Sequence, residues 1–229
     1  MGHLTRTAIL TTACLLVAIT LTANTTVPSD SIQPVRASEA AGDFVDVSRI
    51  IPNVIIDLKY ATPDNVFGQV LYTTDDCLLR REVAVALARV QNELRALGLQ
   101  LVIWDGYRPL SVQKKMWQQV PDERYVANPD KGSRHNRGAA VDVTLADSTG
   151  RYLPMPTAYD DFSEKAHRDC TDVDAEAGGN AERLERVMQS EGFTGLPTEW
   201  WHFDYKGWEN YPVTDIEPGN IREDNKTGE

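Results

Sequence analysis

The strongest constraint on the fold is an apolar helical face followed at once by a short apolar strand. Val83, Leu87, Val90, Leu94 and Leu97 recur at spacings of 4, 3, 4 and 3, which lines one side of a helix with apolar side chains. Gly98 stops that pattern, as glycine commonly does at a helix end. Residues 99–104 (LQLVIW) then read as a strand, broken by Asp105-Gly106. Elsewhere the periodicities are mixed. Residues 54–60 (VIIDLKY) predict a strand, 110–120 a helix ending at Pro121, and 140–145 (AVDVTL) an alternating strand. Residues 181–191 predict a helix and 200–205 an aromatic strand, on the usual 3.6 and 2.0 periods. Helices and strands do not alternate strictly, so the expected class is α+β rather than a doubly wound sheet. The expectation is a single domain with a central, mostly antiparallel sheet flanked by helices.

The chain ends read differently. Residues 8–23 (AILTTACLLVAITLTA) are uncharged, follow the single basic side chain Arg6, and give way to polar sequence with Asp30. That order matches a secretory signal over residues 1–23, cleaved after Ala23, and implies a periplasmic or secreted protein. The competing reading is an uncleaved anchor, but this run falls short of the roughly 20 residues that span a bilayer. A lipoprotein reading through Cys14 is weaker still, because Cys14 lies inside the run. Residues 24–42 read as a flexible leader, 43–214 as the domain, and 215–229 as a frayed tail. Acidic residues outnumber basic ones 34 to 23, a formal net charge of -11. Such a chain has no electrostatic footprint for nucleic acid or anionic lipid. Export leaves Cys77 and Cys170 in an oxidising compartment with no CxxC spacing. A Cys77–Cys170 disulfide is therefore expected, with two buried free thiols as the alternative.

Two histidines keep unusual company. His135 lies within Gly132-Ser133-Arg134-His135-Asn136-Arg137-Gly138-Ala139-Ala140-Val141-Asp142, and His202 closes Glu199-Trp200-Trp201-His202. Two imidazoles and the Asp142 carboxylate supply three N/O ligands and leave one tetrahedral position open, the pattern of a catalytic zinc. A loop turning at Gly138 brings His135 back over a strand in which Val141 and Val143 face one side and Asp142 the other. Glu199 at the strand entrance stands where a general base belongs. Trp200 and Trp201 would wall the site. Arg108, just past the strand end at Asp105-Gly106, offers a fork of donors to a developing oxyanion. Taken singly, each has a blander reading: a structural histidine, a core Trp pair, a turn with a surface arginine.

Three motifs, Asp105-Gly106-Tyr107-Arg108-Pro109, Ser133-x-His135-x-x-Gly138-x-Ala140-x-Asp142 and Glu199-Trp200-Trp201-His202, resemble those of the D-alanyl-D-alanine dipeptidases. These are zinc peptidases related to the D,D-carboxypeptidases of vancomycin resistance. The resemblance runs from about Asp43 to Pro212 with the motifs in family order. It implies one Zn²⁺ held by His135, Asp142 and His202, with Glu199 as general base and Arg108 on the tetrahedral intermediate. It also implies that Asp160, in the segment 155–167, holds the substrate ammonium, and that Ser133 lies near the same group. His167 is read as an outer or structural residue rather than a fourth ligand. The implied partner is D-Ala-D-Ala or a wall-derived peptide. The alternatives are a D,D-carboxypeptidase or endopeptidase and, from another class, a non-catalytic wall-binding module.

Overall fold

In the computed structural model, which describes residues 1–2 and 43–219, the chain order is strand β1 (Phe44–Asp46), helix α1 (Val47–Ile50), β2 (Ile55–Ile56) and β3 (Leu78–Arg80). Next come α2 (Arg81–Ala96), β4 (Leu99–Asp105), α3 (Leu110–Gln119) and β5 (Ala140–Asp147). Last are α4 (Ala175–Ser190), β6 (Phe193–Gly195) and β7 (His202–Tyr205). Apart from residues 1–2, the expected signal and leader lie outside the described residues. Among the described residues no helix is long and apolar enough to cross a membrane.

The class is α+β. A five-stranded sheet runs in the order β2-β4-β5-β7-β6. Its β2–β4 pair is parallel and the other three pairs are antiparallel. A second, two-stranded antiparallel sheet joins β1 to β3. The apolar face of α2 seats Val83, Leu87, Val90 and Leu94 at 0% exposure, each contributing about 1.5–3 kcal/mol of burial. Leu97, the last residue of the expected face, is exposed because the helix ends at Ala96 and Gly98 turns the chain away in a left-handed conformation (φ 73°). Helix α2 packs on β4 and α4, and α4 packs on β5 and β6. Helix α4 starts earlier than its pattern predicts. Asp174 caps it by accepting from Glu176 N and Ala177 N, which offsets the cost of Gly178 and Gly179 in its first turns.

Two expectations are corrected. Residues 54–60 do not form one strand: after Ile55–Ile56 the chain coils into a 3-10 turn at Lys59–Ala61. There the Tyr60 carbonyl accepts from both Leu71 N and Tyr72 N, long-range bonds that an extended strand would forgo. Cys77 and Cys170 are free thiols rather than a disulfide. Cys77 is buried in the core, its Sγ against Gly106, and Cys170 sits half-buried after a separate 3-10 turn, Glu164–Ala166. Of the tail expected over 215–229, residues 220–229 lie outside the described residues. Ile216 packs with Phe44, Leu78 and Tyr107, and its amide donates to the Tyr107 hydroxyl at 2.8 Å.

Candidate active site

The site forms where β4, β5 and β7 lie side by side. Asp142 on β5 and His202 on β7 are directly opposed in the antiparallel register, so their side chains leave the same face of the sheet. Val141 and Val143, on the other face, are fully buried. Between Ile103 and Asp105 the register of β4 against β5 slips. This bulge brings Asp105 opposite Asp142, where strict alternation would have sent it to the other face.

His135 arrives from above the sheet on a 3-10 turn, His135–Arg137, that ends at Gly138 with φ 69°. A Cβ at Gly138 would stand 3.0 Å from Phe44 Cζ and closer still to Cε1. Only glycine meets both the left-handed backbone and that close approach.

The three expected metal ligands converge. His135 Nε2 lies 3.2 Å from His202 Nδ1 and 3.4 Å from Asp142 Oδ1, and His202 Nδ1 lies 2.9 Å from the same oxygen. Tetrahedral ligands about 2.0–2.1 Å from a zinc stand roughly 3.3 Å from one another, so this triangle has the size the ion requires. Their outer nitrogens are partnered as well. His135 Nδ1 donates to the Gly106 carbonyl at 2.8 Å, and His202 Nε2 faces Asp204 Oδ1 at 3.0 Å. His135 Nε2 and His202 Nδ1 thus face inward on one carboxylate oxygen, a donor set that would take a metal cation between them. Burial works to raise the Asp142 pKa, but the facing His135 and His202 outweigh it and hold the carboxyl well below its usual range. Its second oxygen accepts from the Tyr159 hydroxyl at 2.8 Å.

Glu199 precedes β7 in a turn, as its neighbours Pro197 and Thr198 predict. Its Oε2 is 4.0 Å from His202 Nδ1, beside the ligand triangle rather than in it. Burial raises its pKa above the ordinary glutamate value. Arg108 is buried, not a surface residue. Its Nε and Nη2 donate to Asp105 Oδ2 at 3.0 and 2.6 Å, and Nη1 donates to Gln113 Oε1 at 2.9 Å. Those bonds use three donors, so two of the roughly five a guanidinium carries remain for the cavity. Asp105, fully buried, also accepts from Tyr72 Oη and Gly106 N.

Asp160 sits in a left-handed conformation (φ 56°), with both oxygens accepting from Tyr60 Oη at 3.0 and 3.2 Å. Burial and the nearby Asp142 push its pKa up to about 8. Ser133 Oγ accepts from His135 N at 3.2 Å. All seven expected residues line one cavity of about 560 Å³, together with Tyr60, Trp201 and His167. His167 lies outside the ligand cluster. Trp200 is fully buried in the core, while Trp201 alone of the pair lines the cavity.

Four partners escaped the sequence reading. Asp204 had a usable signal, since it stands two residues past His202 on the same strand face. Tyr159, Tyr60 and Tyr72 had none, because their contacts join segments far apart in the chain.

A family model described as D-ala-D-ala dipeptidase matches residues 40–216. The D-alanyl-D-alanine dipeptidase of Escherichia coli (strain K12) is 39% identical over 171 residues, covering 75% of this chain and 89% of that protein. That of Streptomyces coelicolor is 32% identical over 186 residues, covering 72% and 92%. That of Enterococcus faecium is 31% identical over 190 residues, covering 74% and 94%. With the motifs in their family order around one cavity, the chain belongs to the D-Ala-D-Ala dipeptidase family of metallopeptidases.

Proposed function

We propose that this protein hydrolyses the D-alanyl-D-alanine dipeptide with Zn²⁺ held by His135, Asp142 and His202. The observation that carries the reading is a glutamate, Glu199, poised 4.0 Å from His202 Nδ1 beside a three-donor triangle of zinc dimensions. Zn²⁺ bound there supplies Lewis acidity, polarising a carbonyl and acidifying water. The protein's own groups do the rest. Glu199 takes the proton of the attacking water on its carboxylate and returns it to the leaving amine. Burial, which raises its pKa, helps it hold that proton until the leaving amine takes it. The two uncommitted N–H donors of Arg108 meet the developing oxyanion. Asp160, with Tyr60 behind it, receives the substrate ammonium, whose charge holds the acid in its carboxylate form, and Ser133 lines the same cavity. Trp201 limits water access.

The carboxylate of Asp160 favours the free dipeptide over a longer wall peptide, since a free amino terminus sits in every dipeptide and an acylated one in a peptide stem. Hydrolysis of longer D-Ala-D-Ala-ending peptides remains the second reading. Residues 8–23 support export, which would bring the enzyme to wall-derived dipeptide.

The test is turnover of D-Ala-D-Ala by the zinc-loaded protein, with and without chelator, alongside Glu199→Ala. The variant is expected to retain zinc and lose about 10²–10⁴ in kcat. Wild-type turnover by Glu199→Ala would remove the assigned base.

A further inference from the structure

The loop that carries Glu199 is held by one side chain with no role so far. Residues 196–201 connect β6 to β7, and Leu196 N donates back to the His202 carbonyl at 3.1 Å. Arg168 follows the Glu164–Ala166 turn. Its Nε donates to the Leu196 carbonyl at 2.8 Å and its Nη2 to the His202 carbonyl at 2.8 Å. One rigid, planar fork therefore ties together both ends of the loop, a geometry lysine cannot reproduce. The same segment straps the middle of the loop through its backbone. Arg168 N donates to Pro197 O at 2.9 Å, and Trp200 N donates to Ala166 O at 3.0 Å, on either side of Glu199.

Arg168 is itself fixed from behind. Its Nη1 lies 3.4 Å from Glu185 Oε2 on α4, and its guanidinium carbon sits 4.3 Å over the Phe203 ring. Gly195 at the end of β6 makes the room. A Cβ there would stand 2.6 Å from Arg168 Nη2 and closer still to Cζ and Nε. Gly195 and Arg168 are one device, a missing side chain filled by a guanidinium.

The geometry points to Arg168 as the positioning residue of Glu199, setting the loop so that the carboxylate stands beside the metal-ligating atoms and not among them. This inference rests on Glu199 being the general base.

The test uses the zinc-loaded full chain and three variants, Arg168→Met, Arg168→Lys and Gly195→Ala. Displacing a reacting group by about 1 Å costs on the order of 10²-fold, so each variant is expected to lose about 10- to 100-fold in kcat. KM for D-Ala-D-Ala should stay within about twofold, since Ser133 and Arg108 lie on other segments and Asp160 is held separately by Tyr60. Zinc should remain at wild-type stoichiometry by elemental analysis. Gly195→Ala reproduces the defect with Arg168 chemically intact, and with Arg168→Lys it carries the test if Arg168→Met fails to fold. In a Glu199→Ala background, Arg168→Met should add no further loss, because a missing base cannot be misplaced. A merely structural role would multiply the two losses, and that outcome overturns the inference. So does a folded, zinc-loaded Arg168→Met with wild-type kcat, or one in which KM rises and kcat does not. Wild-type turnover by Glu199→Ala alone fails the underlying assignment instead, and is read from a separate variant.

Discussion

Gly138→Ala is the substitution whose effect is most completely determined by geometry. Two costs and one gain apply. Alanine in the left-handed backbone at φ 69° costs about 1–2 kcal/mol. The added Cβ would press on Phe44 Cε1, Cζ and Cδ1, and Phe44 cannot retreat. It is 1% exposed, with Tyr107 4.5 Å away by ring centroid and the Arg80 guanidinium 4.0 Å above it. Forcing a methyl into such packing costs about 1–3 kcal/mol. The stiffer unfolded chain returns about 0.4–1 kcal/mol. The net expectation is a loss of about 1–5 kcal/mol. Urea unfolding of the metal-free protein measures it directly, and pairing with Phe44→Leu separates the two costs. Relief of the clash should make the double variant more stable than the sum of the single changes by about 0.5–3 kcal/mol, while the backbone cost persists. Zinc affinity should fall as well, since the Gly138 amide bonds the His135 carbonyl and its own carbonyl accepts from Arg80 N, both at 3.0 Å. Unfolding of Gly138→Ala at wild-type urea, or strict additivity with Phe44→Leu, would refute the steric reasoning.

Arg108→Ala should be slow by about 10²–10³ in kcat and also less stable by about 3–5 kcal/mol, because Asp105 is left as an uncompensated buried charge; a thermal melt at wild-type midpoint would contradict the ion pair's role. Asp204→Ala frees His202 Nε2 from its acceptor and should weaken zinc binding by about 10- to 100-fold in a chelator competition; unchanged affinity would mean Asp204 does not orient the ring. Asp160 has a folded pKa of about 8, above its unfolded value of about 3.9, so the folded state keeps a proton that the unfolded state releases. In the metal-free protein that stability is full below about pH 4 and is lost as pH rises through about 8. Asp160→Asn should flatten this part of the stability–pH curve, and an unchanged slope between those limits would show that the proton sits elsewhere.

The candidate metal ligands, Glu199 and Arg108 were legible because each stands in a local motif whose spacing is chemical. Gly138 beside His135 and the alternation around Asp142 carry their geometry in consecutive residues. The α2 face was legible for the same reason, since helical periodicity is local. Residues 54–60 misled because their strand pattern is equally local, and the bonds that override it come from Leu71 and Tyr72. The cysteine pairing failed similarly. Compartment and count argue for a bond, but whether two sulfurs meet is a matter of tertiary placement, which put Cys77 in the core and Cys170, half-buried, past the Glu164–Ala166 turn.

By itself, the sequence determined the fold class and singled out a candidate donor set and a candidate base, all of which depend on residue types at short range. Only the tertiary structure decided how those groups are aimed. The bulge in β4 that turns Asp105 toward the site, the pairing of Asp142 with His202, the Tyr60–Asp160 contact and the Arg168 fork each join residues tens of positions apart. Such contacts form when packing closes long loops around one core, and no spacing along the chain records them.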